Sequence, residues 1–239
     1  MPSRTDRVAV SDTAASDPSS VTRVRRSPAE AQRWYSTLSR WYGTVATPFE
    51  AAALDAGLSL LDASPGESVL DVGTGTGEAL APLAEAVGDE GRVVGVDIAS
   101  GMCRVARETI VDAGVADRAT VACADARGLP LRDDTVDAML ASFTLELFDT
   151  PRLGDVLAEW QRVLGDDGRL CVVALSKRPE TVSVRAYERL HEAFPRYLDC
   201  RPIYVRATLR EAGFEVARAL DLRLWGLPVT VALARPASG

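Results

Sequence analysis

From Ser68 onward, short apolar runs alternate with stretches in which apolar residues recur every three or four positions. The short runs are typical of buried strands, and the longer period is typical of helices packed on a sheet. This alternation predicts an α/β fold, a doubly wound and mostly parallel sheet with helices on both faces. Seven strands are predicted, at Ser68–Val72, Arg92–Asp97, Ala119–Ala122, Thr135–Ala141, Arg169–Leu175, Phe214–Leu222 and Pro228–Ala234.

Helices are predicted before and between these strands. Ser27-Pro-Ala-Glu30 and Thr47-Pro-Phe-Glu50 each combine a capping residue, a proline at the first helical position and an early acid, so two helices precede the sheet. The Rossmann-like sheet is thus expected to carry N-terminal helices and a small helical cap. The later helices are predicted near 78–87, Gly101–Ala113, a segment capped by Thr150 and ended by Gly165, Val184–Phe194 and Ile203–Ala212.

The chain of 239 residues predicts one domain over residues 27–239, preceded by a tail. Residues 1–26 are rich in serine, aspartate and arginine and show no periodicity, which predicts a flexible segment. The basic cluster Arg23-Val-Arg-Arg26 fits a solvated tail, and transient contact with an anionic membrane surface is the alternative.

The composition of the chain indicates which kinds of partner and which cellular compartment to expect. A net charge of −7 argues against a general nucleic-acid binder, because no basic surplus neutralises phosphates. The four cysteines form no C-x-x-C pair, so we expect small buried thiols in a reducing compartment. No apolar run approaches the ~20 residues that span a bilayer, and we expect a cytoplasmic protein.

The first predicted strand ends in a glycine-rich turn, Asp71-Val-Gly-Thr-Gly-Thr-Gly77. Glycines there let a ligand approach the backbone, and the helix start that follows suits a carboxylate or a phosphate. The spacing is G-x-G-x-G, whereas the dinucleotide fingerprint is G-x-G-x-x-G. Asp71 can accept from an ammonium, so Asp71, Gly73, Thr74, Gly75 and Gly77 favour the methionine end of S-adenosylmethionine over a pyrophosphate.

Two further acids fall at the ends of the next two predicted strands. Asp97 follows Gly77 by 20 residues and can accept both hydroxyls of a ribose. Asp125, after the third strand, can accept from the exocyclic amine of adenine. Ile98 and Met102 can sandwich the purine, as apolar side chains do in cofactor pockets. The three acids together predict an adenosyl ligand.

These stretches resemble those of class I S-adenosylmethionine-dependent methyltransferases, over essentially all of residues 28–239. Within that superfamily, the chain is similar to the ubiquinone/menaquinone-biosynthesis C-methyltransferases. The resemblance implies a seven-stranded sheet with an antiparallel last strand, and it implies that Ala126 and Ser142 join the cofactor site. The segments that resemble this family are residues 69–78, Val96–Met102, Ala124-Asp-Ala126 with Leu129-Pro-Leu131, Ser142-Phe143 and 162–177.

Two segments near the expected acceptor pocket differ from the quinone enzymes. Ser142-Phe-Thr-Leu-Glu-Leu-Phe148 stands where that family has Ser-Phe-Gly-Leu-Arg-Asn. Ser39-Arg-Trp-Tyr-Gly-Thr44 lacks the family's histidine. The acceptor is therefore expected to be a small aromatic or lipid-like molecule. A quinone-type ring carbon, a phospholipid amine and the oxygen or nitrogen of a natural product all stay open.

Methyl transfer from a sulfonium is an in-line displacement that needs alignment and exclusion of water. A general base is needed only if the nucleophile loses a proton, and no metal is expected. His191, the chain's single histidine, is interpreted either as structural or as a base, and Glu146 as a group that orients the acceptor. Trp34, Tyr35 and Trp225 are candidate lining residues of an apolar acceptor site.

Three other classes of protein compete with a methyltransferase. A nicotinamide-dependent oxidoreductase would use a related sheet, although the glycine spacing disfavours it. A sensor would bind S-adenosylmethionine without turnover. An arsenite-methylating enzyme would need converging cysteines, which Cys123 and Cys171, near or within strands, do not favour. The oligomeric state is not predicted.

Overall fold

The structure, a computed structural model, describes residues 21, 48–193, 200–224 and 226–237. The first predicted helix with Trp34 and Tyr35, and also Phe194 and Trp225, lie outside the described residues. Of the predicted tail, the structure describes Val21, which is buried with the core.

The fold is built on a seven-stranded sheet whose strand order is β3-β2-β1-β4-β5-β7-β6. Strands β1 to β5 are parallel, and β7 is antiparallel to both of its neighbours. The predicted mostly parallel sheet with an antiparallel last strand is thus confirmed. The strands are β1 Ser68–Val72, β2 Arg92–Asp97, β3 Ala119–Cys123, β4 Val136–Ser142, β5 Leu164–Leu175, β6 Phe214–Leu224 and β7 Leu227–Pro236.

Helices follow most strands and cover both faces of the sheet, as the alternation predicts. Within the described ranges, the helix before the sheet begins at Pro48, where a proline replaces a backbone N–H that has no partner anyway. The α-helices are α1 Pro48–Leu61, α2 Leu80–Val87, α3 Ser100–Asp112, α4 Leu153–Val163, α5 Val182–Ala193 and α6 Val205–Glu211.

The prediction that Thr150 caps the helix after β4 is wrong. Asp149 caps a short 3-10 helix, Thr150–Arg152, by accepting the Thr150 N–H at 3.1 Å, and α4 begins only at Leu153. The Thr150 hydroxyl instead accepts from Arg201 at 2.9 Å. A long-range partner has therefore taken the side chain that the local pattern assigned to the cap.

Alternate residues of the central strands pack into two separate apolar clusters, one on each face of the sheet. In β1, Leu70 and Val72 join the cluster that holds Trp160 of α4, while Val69 joins the cluster covered by α1, α2 and α3. The cysteine expectation is confirmed for Cys103 and Cys171, which are buried, and is wrong for Cys123, which is exposed.

The end of α1 is fixed to the sheet by Arg169 of β5. Its guanidinium donates to the carbonyls of Leu61 and Asp62 at 2.6 and 2.7 Å and to both oxygens of Glu67 at 2.7 Å. Two carbonyls left over at a helix end are thereby satisfied by a distant residue. This clamp joins α1, the entry to β1 and β5.

We predict that Arg169→Met lowers the free energy of unfolding by about 1–3 kcal/mol, because several hydrogen bonds to a charged group are lost at a half-buried site. Urea unfolding followed by circular dichroism measures the change. Arg104→Met is the matched control. Arg104 pairs with Glu108 on the exposed face of α3, where such pairs contribute about 0.5 kcal/mol or less. Equal losses in the two variants would contradict the clamp.

Candidate cofactor and acceptor site

The glycine turn lies directly over the end of β2. The N–H groups of Gly73 and Thr74 both donate to the carbonyl of Val96, at 2.8 and 3.0 Å. Gly73, Gly75 and Gly77 have φ angles of +72°, +56° and +85°, a region that other residues rarely adopt. The spacing of the three glycines is thus required by the path of the chain itself.

Gly73 and Gly77 are also required by close packing. A Cβ atom placed on Gly73 would lie 2.2 Å from Thr144 Oγ1, and one on Gly77 would lie 3.1 Å from the Cα of Ala106. Gly73 therefore brings the turn against the segment after β4, and Gly77 lets α3 approach it. At Gly75 the nearest atom would be 4.0 Å away, so space does not restrict this position.

Asp71 stabilises the turn from beneath. Its Oδ2 accepts the hydroxyl of Thr74 at 2.6 Å, and both side chains are buried. Burial raises the pKa of Asp71 to about 7, partly offset by the Thr74 hydroxyl, and the nearby Asp97 raises it further. The Thr74 bond uses one lone pair of Oδ2, so the carboxylate keeps further lone pairs that can accept from a ligand.

Asp97 connects the turn to the start of α3. Its Oδ2 accepts the N–H of Gly75 at 3.0 Å, and its Oδ1 accepts the N–H of Ala99 at 2.8 Å. Desolvation by burial raises the pKa of Asp97, although these backbone donors stabilise the charged form. The register pairs Asp71 with Gly95 and Asp97 with Cys123, so the acids lie at one edge of the sheet.

Asp125 lies at the same edge, beyond β3, but it is already paired. Arg127 donates to both of its carboxylate oxygens, at 3.0 Å from Nε and 2.5 Å from Nη2, and lowers the pKa of Asp125. About a third of each side chain is exposed. An adenine amine would have to share this carboxylate with Arg127.

The other residues predicted for the cofactor differ in their surroundings. Ala126 is buried, and its carbonyl accepts the indole N–H of Trp160 at 2.9 Å, which fixes the backbone next to Asp125. Ile98 is half-buried, whereas Met102 is buried in the first turn of α3. Ser142 ends β4, and its carbonyl accepts from the Thr144 hydroxyl at 2.9 Å.

Glu146 lies in a 3-10 helix, Leu145–Leu147, after β4 and is fully buried. Its Oε1 accepts the N–H of Leu175, the last residue of β5, at 3.2 Å. Oε2 is buried and accepts no hydrogen bond from the part of the chain that the structure describes. Burial raises the pKa of Glu146 to about 7. Backbone hydrogen bonds, among them that from Leu175, and the charge of Arg201 partly offset the rise.

His191 is buried on α5, on the same face as the fully buried Val184. This burial agrees with the interpretation of His191 as a structural residue. A role as base or substrate-orienting group stays a prediction.

The sequence did not indicate Thr144 or Arg201 as site residues. Thr144 contacts the glycine turn, and Arg201 is a fully buried arginine that donates to backbone carbonyls after β4. The one signal for Arg201 is its place in the apolar run Arg201-Pro-Ile-Tyr-Val205. An arginine there needs several internal acceptors.

These residues fit an adenosyl ligand by their chemistry. Asp71 and Asp97 are acids at the carboxyl ends of adjacent parallel strands, beside a turn whose backbone a ligand can approach. A family profile described as a methyltransferase domain matches residues 69–168, which include the turn and all three acids. Residues 69–168 thus match a methyltransferase domain, and the chain resembles the class I S-adenosylmethionine-dependent methyltransferases.

A sequence relative of this methyltransferase domain is the ubiquinone/menaquinone biosynthesis C-methyltransferase UbiE of Teredinibacter turnerae. The two are 38% identical over 131 residues, which is 55% of this chain and 52% of the relative. The chain therefore spans about half the length of the curated relatives that it matches.

Solved structures share the fold over most of the chain. The [4+2]-cyclase SpnF superposes with a TM-score of 0.71 at 18% identity, covering 90% of this chain and 98% of that one. A S-adenosylmethionine-dependent methyltransferase from Aquifex aeolicus gives a TM-score of 0.58 at 22% identity, covering 88% and 100%. At these identities the likeness concerns the fold.

No helix within the described ranges has both the length and the apolar character needed to cross a bilayer. No cluster of three or more His, Cys, Asp or Glu side chains in the same ranges could hold a metal ion.

We predict that the free energy of unfolding falls as the pH rises from about 5 to 7. The pKa of Glu146 is raised to about 7 from 4.5, so in this window the folded protein binds more protons than the unfolded chain. Glu146→Gln removes this contribution and should flatten the dependence by roughly 1–3 kcal/mol. Urea unfolding at pH 5, 6, 7 and 8 gives the values.

Glu85→Gln is the control, because Glu85 is exposed on α2. It should keep the dependence of the unmodified protein. An identical pH dependence in Glu146→Gln and the unmodified protein would contradict the raised pKa.

Proposed function

We propose that this protein transfers a methyl group from S-adenosylmethionine to a small aromatic or lipid-like acceptor. The resemblance of residues 69–168 to a methyltransferase domain and the name of the UbiE relatives support the proposal. A quinone-type ring carbon is one candidate for the methylated atom. S-adenosylmethionine supplies an electrophilic methyl group on a sulfonium.

The observation that carries the cofactor assignment is the position of Asp97. Its carboxylate accepts from Gly75 of the turn and from Ala99 at the start of α3, so it is fixed where two neighbouring strands end. A fixed carboxylate with lone pairs remaining is suited to accept from the two hydroxyls of a ribose.

Each remaining residue has a proposed role that follows from its place around Asp97. The turn and the Asp71 carboxylate receive the amino and carboxylate groups of the methionine part. The segment after β3 receives the adenine, and apolar side chains flank it. The proposed cofactor residues are Asp71, Gly73, Thr74, Gly75, Gly77, Asp97, Ile98, Met102, Asp125, Ala126 and Ser142, with His191 and Glu146 proposed for the acceptor.

Departures from the quinone-enzyme pattern fall at the segment after β4, which includes Thr144 and Glu146. For this reason a phospholipid amine and a natural-product oxygen or nitrogen stay as alternative acceptors, with brief contact to a membrane surface if the acceptor is lipid-like. A protein that binds the cofactor without transfer is a further alternative. The [4+2]-cyclase SpnF shares the fold, so the fold alone does not establish methyl transfer.

We predict that Asp97→Asn weakens binding of S-adenosylmethionine at least tenfold. An amide keeps the size of the side chain but loses the charge and one acceptor, and hydrogen bonds to charged groups contribute about 1.5–3 kcal/mol. Isothermal titration with S-adenosylmethionine and S-adenosylhomocysteine measures the effect.

Asp112→Asn, at the exposed end of α3, makes the same change away from the site and should bind like the unmodified protein. Unchanged affinity in Asp97→Asn would overturn the ribose assignment. If the unmodified protein bound neither ligand at millimolar concentration, the assignment of S-adenosylmethionine as the cofactor would be wrong.

Transfer itself is tested with S-adenosylmethionine labelled in its methyl group and an extract of small molecules. The expected result is label in an extractable small molecule, which mass spectrometry then identifies. Binding of S-adenosylmethionine without label in any product would contradict methyl transfer and favour a protein that only binds the cofactor.

A further inference from the structure

The buried carboxylate of Glu146 has an oxygen with no partner in the described residues, although its other oxygen accepts from Leu175. A buried acceptor without a donor costs free energy, and folded proteins rarely keep one without a functional reason. A ligand that donates to Oε2 would remove that cost.

Glu146 is close to the cofactor turn and to the end of β5. Thr144, two residues earlier, packs against Gly73, while Glu146 itself bonds to the N–H of Leu175. The sheet order places β4 beside β1 and β5, and the order reverses between β1 and β4. Open α/β sheets bind their ligands at that reversal, beyond the carboxyl ends of the strands.

Arg201 holds the segment that carries Glu146. Its Nε donates to the carbonyl of Glu146 at 3.2 Å, Nη1 donates to the Thr150 hydroxyl at 2.9 Å, and Nη2 donates to the carbonyl of Phe148. The side chain is fully buried, so its charge acts across a medium of low polarity. Arg201 is therefore a positioning residue for Glu146.

The chemistry of methyl transfer restricts what can react at Oε2. Among the described residues, Arg201 is the charged group that acts on Glu146 from the packed elements around it. An acceptor that arrives as an ammonium has no lone pair with which to attack a methyl group and must first lose a proton. A neutral hydroxyl can donate to Oε2 without adding charge.

We propose that Glu146 accepts the proton of a neutral hydroxyl group on the methyl acceptor. The inference rests on the proposed methyl transfer and selects among its acceptors: a phenol, hydroquinone or other hydroxyl-bearing molecule fits, and a phospholipid amine does not.

When oxygen is methylated, the O–H bond of the acceptor breaks and its proton goes to Glu146. The acceptor oxygen forms a bond to the methyl carbon, and the methyl–sulfur bond breaks with its electron pair going to sulfur. When a ring carbon is methylated, the same hydroxyl proton goes to Glu146. The ring then loses its C–H proton to water and becomes aromatic again, and the oxygen regains a proton from Glu146.

Because Glu146 is fully buried, water is excluded from its carboxylate, which strengthens the interaction of Oε2 with a bound hydroxyl. The base is thereby kept from solvent until the acceptor is in place.

The first test identifies the labelled product of the unmodified protein, using methyl-labelled S-adenosylmethionine and a small-molecule extract. The expected product carries its new methyl on a hydroxyl oxygen or on a ring bearing a hydroxyl. A product methylated on an amine, or one derived from a molecule without a hydroxyl, overturns the inference and leaves methyl transfer intact.

The second test changes the base. Glu146→Gln should lower kcat at least 100-fold, since general bases contribute about 10²- to 10⁴-fold, and should leave the affinity for S-adenosylhomocysteine within a factor of three. Glu146→Asp should recover part of the rate. Glu85→Gln, the same change at an exposed site, should match the unmodified protein.

The third test uses the pH profile of kcat. Burial raises the pKa of Glu146 to about 7, so the rate should rise with pH and level off above neutrality. Arg201→Gln removes the charge that lowers this pKa and should move the rise to higher pH, whereas Arg201→Lys should move it less. A merely structural role of Arg201 would change the rate without moving the profile.

These tests distinguish a failure of the proposed methyl transfer from a failure of the proposed role of Glu146. Transfer that persists unchanged in Glu146→Gln overturns the role of Glu146 alone. Tight binding of S-adenosylhomocysteine with no transfer by the unmodified protein overturns the proposed function and this inference with it.

Discussion

The carboxylate of Asp97 holds together the two backbone segments that border the cofactor site. It accepts one N–H from the glycine turn and one from the start of α3, at the point where β2 ends. The turn also bonds to the carbonyl of Val96 and to Asp71, but Asp97 is the side chain that ties it to the start of α3. The shape of the site and the charge that recognises a ligand therefore depend on the same side chain.

Burial of acids at this edge has a thermodynamic cost. Asp71 and Glu146 both have pKa values raised to about 7 because water is excluded from them. Acids in such surroundings are common at functional sites, where a ligand supplies the missing donor or charge. Stability and binding are thus coupled at the carboxyl ends of the strands.

Much of the fold could be predicted from the pattern of apolar residues. The bounds of β1 and β2 agree with the prediction, and the other helices and strands differ mainly by a few residues at their ends. A larger difference is β5, which begins at Leu164 instead of Arg169, because the chain pairs with β4 directly after α4. Strand pairing is long-range and leaves no period in the sequence.

The sequence by itself determined the α/β class, the glycine turn and the three acids, because parallel strands bring their carboxyl ends to one edge and each acid ends or follows a strand. Only the tertiary structure decided what those acids contact. Arg201 reaches Glu146 across 55 residues, and Trp160 reaches Ala126 across 34. Such contacts depend on which helix and loop pack together, so a single sequence carries no local signal for them.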